Sequence, residues 1–130
     1  MIRIASTTIF IAVFLGACAA VPKPEIRMEK QRFIILYSPG SSWLAGKPIW
    51  EQPLQAHGDY MHQLYLRGDL VMAGPFTDST GGMAIIDVAD ENEAKAIVAG
   101  DPAVKENIFT AELHPWYTVD WKNYGSQGHE

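Results

Sequence analysis

Few side chains in this 130-residue chain combine the type and the setting that acid–base chemistry needs. His57 is the first. Leu54, His57, Tyr60, Met61 and Leu64 recur at steps of three and four, so they share one face of a helix and His57 stands near its start. Partial burial and the positive end of a helix both favour a neutral imidazole, the form a general base requires. The plainer alternative is a core histidine satisfied by a backbone carbonyl. Asp101 is the second candidate. It follows Gly100 and precedes Pro102, at the end of a second helical run. A carboxylate there meets the negative end of the helix dipole and needs compensation. A hydrogen bond to His57 would compensate it, orient the ring and fix its tautomer. Aspartate before proline also reads as the N-cap of a short turn opening at Ala103. The two roles are compatible, since one oxygen can cap while the other meets the imidazole.

Other residues are candidates for binding a ligand rather than for moving a proton. Gly74 permits close approach to the backbone, and Pro75 turns its strand away. Phe76 follows them, Tyr37 ends the first strand, and Tyr60 shares the face of His57. These five are the expected ligand contacts. A plain strand stop is the simpler reading of Gly74-Pro75. Trp43, Trp50, Trp116, Tyr117 and Trp121 suit either a flat apolar ligand or dimer packing. His62 lies five residues from His57 and points to another side of the helix, His114 falls on the polar face of the last strand, and His129 is in the tail. No spacing resembles a metal motif, a nucleophile elbow, a phosphate loop or a dinucleotide fingerprint. No metal and no cofactor are therefore expected.

The elements that must position these groups are legible in outline. Phe33 to Tyr37 is a short apolar strand ended by Ser38-Pro39-Gly40. A long loop, residues 38–52, carries two tryptophans and is expected to fold back as a lid or a dimer contact. Pro53 suits the first turn of helix one, and Gly68 its stop. Leu70 to Ala73 and Gly82 to Val88 are strands joined by a hairpin-type turn. Asp90 with Glu93 makes a capping box for helix two, whose apolar face is Ala94, Ile97 and Val98. Phe109, Ala111 and Leu113 alternate with polar residues in a last, one-sided strand. The order is the split β-α-β pattern: an α+β, ferredoxin-like, four-stranded antiparallel sheet with two helices on one face. The bare face left over would be hidden by pairing two sheets, so a homodimer is expected.

The first residues read as an address. Arg3 precedes a mostly apolar run, Ile4 to Leu15, of about a dozen residues, signal-like and short for a bilayer span. Leu15-Gly16-Ala17-Cys18 looks like a lipobox, with lipid attachment at Cys18 holding the protein to a membrane. An ordinary secretory signal cut at these small residues is the alternative. Either reading sends the protein to the periplasm or cell envelope. Cys18 is the single cysteine, so no disulfide is possible within the chain. Loss of residues 1–17 removes Arg3 alone, leaving nine basic against fifteen acidic residues, a net −6. That argues against nucleic acid, and against an anionic membrane surface, as electrostatic partners. The expected organisation is a signal peptide at 1–17, a Pro-containing tether at 18–30, one domain at 31–119 and a flexible tail at 120–130.

His57 on the first helix, the strand ending Ala73-Gly74-Pro75 and the Asp101-Pro102 pair after the second helix occur in an order that resembles the YCII-related family. The resemblance runs from about Arg32 to Trp116. It implies the dimeric α+β barrel. It also implies that His57 and Asp101 act as a pair at one pocket. Relatives of this architecture act on lactones or aromatic breakdown products, so the resemblance points to isomerase- or lyase-like proton transfer on a small organic molecule. The alternative is a non-catalytic, lipid-tethered dimer that binds a small ligand or a partner protein.

Overall fold

A computed structural model describes residues 29–125. The expected leader, Cys18, most of the tether and the last five residues of the tail lie outside them. The elements run β1 (Gln31–Pro39), a short 3-10 helix (Ile49–Glu51), α1 (Gln55–Leu66), β2 (Leu70–Pro75), β3 (Gly82–Val88), α2 (Glu91–Gly100), α3 (Pro102–Lys105) and β4 (Phe109–Pro115). All neighbouring strands are antiparallel, in the order β2-β3-β1-β4. This is the α+β, ferredoxin-like arrangement that the order of sequence patterns implies.

Alternation builds the core. In β1, Phe33, Ile35 and Tyr37 are buried, while Ile34 and Leu36 between them are only half-buried on the opposite face. Ala84, Ile86 and Val88 of β3 join the buried side, and Met61 and Leu64 of α1 with Ala94 and Ile97 of α2 pack on it. Leu64 is fully buried. Full burial of such a side chain contributes about 1.5–3 kcal/mol.

Helix starts follow side-chain chemistry. The Asp90 carboxylate accepts from Glu93 N at 2.9 Å, and Glu93 returns by accepting from Ala89 N at 2.8 Å. Gly68, at φ +77°, ends the turn after α1. Pro53 is not in the first turn of α1. The Leu54 carbonyl instead receives the first helical bond, from Gly58 N, and α1 has no side-chain cap. The reason is Gln52, which is buried and accepts from Leu44 N while donating to the carbonyls of Leu44 and Lys47. These bonds fold loop 40–52 onto itself, so the chain enters α1 from a fixed corner rather than through a proline turn. No helix among the described residues is long and apolar enough to cross a membrane.

On the open face Arg32 and Asp87 form a two-bond ion pair, both bonds 2.6 Å. The Arg32 guanidinium holds the Asp87 carboxyl below its ordinary value, against a smaller opposing effect of burial. A depressed carboxylate stabilises the fold above its unfolded pKa, and that contribution disappears as pH falls through its folded value. The pair is partly exposed, so solvent screening limits it to about 0.5–1 kcal/mol. Asp87→Asn is therefore expected to lose less thermal stability than the wild type on going from pH 7 to pH 3. Parallel acid melting curves would contradict this.

Candidate functional site

His57 lies in the first turn of α1, and Asp101 ends α2. The fold joins them across 44 residues of sequence: His57 Nδ1 is 2.8 Å from Asp101 Oδ2 and 3.0 Å from Oδ1. A carboxylate only accepts, so Nδ1 is the donor and carries the proton. In the neutral ring the lone pair is then on Nε2. Asp101 is fully buried, and His57 keeps 17 % of its side-chain surface exposed. Asp101 also performs its other expected role. Its Oδ1 accepts from Ala103 N at 2.9 Å, capping α3 with Pro102 at the first helical position. One carboxylate thus fixes a helix start and an imidazole together.

Aromatic rings hold the imidazole from two sides. Tyr37 meets it edge-on at 5.2 Å between centroids, and Phe109 does so at 5.4 Å. Trp43 packs behind Phe109 at 5.6 Å. The Tyr37 hydroxyl is buried and makes no hydrogen bond among the described residues. Burial first, and the nearby Asp101 carboxylate second, hold the Tyr37 hydroxyl far above its ordinary pKa, so it stays protonated.

A cavity of about 330 Å³ opens beside His57. Its walls include Tyr37, Leu54, Met61 and Phe109 from the core side, Ile49 and Trp50 from the loop, and Ala73, Gly74 and Pro75 from the end of β2. Of the five expected ligand contacts, Tyr37, Gly74 and Pro75 line it. Tyr60 and Phe76 do not. The Tyr60 hydroxyl donates to the Ile97 carbonyl at 2.8 Å, and its ring lies against Gly100, so the side chain couples α1 to α2. Burial, then Asp101, raise its pKa. Phe76 is exposed just beyond the strand end. Phe109, Met83 and Ile49 are wall residues that sequence reasoning did not single out. Phe109 had a readable signal: it is the first inward position of an alternating strand, next in register to the end of β1.

Of the five aromatic residues considered as pocket walls, only Trp50 lines this cavity. Trp116 and Tyr117 border a shallower groove with Lys30, Arg32 and Asp87 at the far end of the sheet, and Trp121 stacks on Tyr124 at 4.9 Å. Among the described residues no group of three or more histidine, cysteine, aspartate or glutamate side chains is placed to hold a metal ion.

The family model of the YCII-related domain matches residues 36–116. No curated protein matches. Among solved structures, the 5-chloro-2-hydroxyhydroquinone dehydrochlorinase of Burkholderia phenoliruptrix AC1100, in complex with 2,5-dihydroxybenzoquinone, aligns with a TM-score of 0.52 at 20 % identity. The alignment covers 68 % of this chain and 95 % of that one. An identity this low speaks for a shared fold and no further. The sheet order, the paired helices and a family match over most of the domain agree, and on them the chain belongs to the YCII-related domain family.

Proposed function

We propose that this protein catalyses proton transfer on a small organic molecule, with His57 as general base and acid and Asp101 as the residue that orients it. The observation that carries this reading is a histidine whose Nδ1 is committed to a fully buried carboxylate while its ring borders a small cavity. That arrangement leaves Nε2 to take a proton from a bound molecule, and the carboxylate stabilises the imidazolium that results. The enzyme among its structural neighbours, a dehydrochlorinase solved with a hydroxylated quinone, supports a catalytic reading by analogy. The test is a turnover screen of the mature protein against hydroxylated rings, lactones and enolisable ketones, with His57→Ala alongside. A product formed by the wild type and lost in the variant supports the reading. Equal turnover in the variant refutes it.

The same proposal includes an assembly and a location. Ile34, Leu36 and Met83 leave part of the sheet face away from the helices apolar, which favours a homodimer through that face. Ile34→Asp is expected to give a folded monomer in sedimentation. An unchanged sedimentation coefficient would contradict the assignment. Export and lipid attachment at Cys18 rest on the sequence pattern, and Cys18→Ser is expected to move the protein from the membrane to the soluble fraction.

A further inference from the structure

We infer that the His57 cavity selects uncharged flat ligands and disfavours carboxylates and phosphates. The inference deepens the reading of this site and rests on it for the role of His57, but its charge argument stands on the cavity walls and the buried Asp101 alone. Among the described residues, none that lines the cavity is a lysine or arginine. The ordinary partners of an anionic group are therefore missing from the one place where it would be desolvated. The charge that is present has the opposite sign to the one an anion needs. Asp101 is fully buried behind His57. Its field reaches the neighbouring phenols, since it helps hold the hydroxyls of both Tyr37 and Tyr60 in the neutral form. Like charges within about 8 Å in a protein site oppose each other by more than a factor of ten.

Shape points the same way. Tyr37, Trp50 and Phe109 supply flat walls, and Leu54 and Met61 supply aliphatic ones. About 330 Å³ is at the small end of ligand sites and suits one or two rings. The titratable groups that face this space are His57, Tyr37 and, behind them, Asp101. An uncharged acid suits this setting chemically. Its proton passes to His57 Nε2, and the electron pair of the broken bond stays on the ligand. The new anion then lies beside an imidazolium, so the total charge in the site does not change. An anionic substrate would instead add a second negative charge before any chemistry began.

The test is binding, and needs no turnover. Two probes of the same size and ring are titrated at pH 7.5 by calorimetry: 3-hydroxybenzamide, uncharged, and 3-hydroxybenzoate, an anion. The amide is expected to bind at least tenfold more tightly than the carboxylate. Leu54→Lys, which adds a cation to the wall, is expected to shrink or reverse that ratio. Equal or tighter binding of the carboxylate to the wild type overturns the inference. So does binding of neither probe at millimolar concentration, because a cavity shaped for a small neutral ring must take the amide. Carboxylate preference would leave proton transfer by His57 standing. A clear amide preference with no turnover in the screen would instead sink catalysis and keep the charge selection.

Discussion

Asp101→Asn is expected to lower turnover by about 10²–10⁴-fold while leaving the fold in place. Asparagine has nearly the same shape, and its oxygen can still accept from Ala103 N and cap α3. Its amide N–H₂, however, can present a donor to His57 Nδ1. The ring then places its proton on Nε2, and no lone pair remains for the bound molecule. Asp101→Ala separates the two duties of this carboxylate. It leaves the Ala103 N–H and the Nδ1–H buried or nearly so without their acceptor, at about 1–3 kcal/mol for each group left unpaired. The asparagine variant should thus melt close to the wild type and fail in turnover, whereas the alanine variant should fail in both. Nitrogen chemical shifts of the His57 ring read the tautomer directly. Wild-type turnover in Asp101→Asn, or an Nδ1–H tautomer in both proteins, would end the orienting role.

Gly81→Ala should be among the most damaging small substitutions. Gly81 has φ +135°, a conformation that L side chains rarely adopt. Its carbonyl accepts from Phe76 N at 2.8 Å and closes the β2–β3 hairpin. A Cβ there would run into the carbonyl of Tyr37. Backbone has to move, and the backbone in question ends β1 beside the cavity. Backbone strain and overpacking together should cost about 2–4 kcal/mol. Denaturant unfolding measures it, and a loss below about 1 kcal/mol would show that the hairpin yields without strain. The neighbouring turn is better insured: Asp78 accepts from Thr80 N and Oγ1, which holds its carboxyl below the ordinary value.

Much of this architecture is legible in the residues because local signals agree with the tertiary fold. Asp90 and Glu93 mark a helix start wherever they occur in that spacing, and the run from Phe33 to Tyr37 marks a strand, although it is apolar throughout and only the fold shows that Phe33, Ile35 and Tyr37 are its covered side. The meeting of His57 and Asp101 is expected from the resemblance to the YCII-related family, since no spacing pattern links two residues 44 positions apart. Tyr60 shows the limit of periodicity. It shares a helical face with His57, but a face spans more than one neighbour, and a long side chain in the next turn reaches α2 instead of the cavity. The placement of Pro53 failed for another reason. Helix propensity at that residue is local, while the entry to α1 is decided by the three hydrogen bonds of the Gln52 side chain, which no periodicity records.

That glutamine has an evolutionary consequence. Ile49 and Trp50, which close one side of the cavity, sit on a segment secured by its own amide latch, whereas the imidazole is held by a fully buried carboxylate between α1 and α2. The mouth can be redrawn by insertion or substitution while the reactive pair keeps its alignment. Descendants of one ancestral acid–base site could therefore diverge in what they admit without having to reinvent how they act.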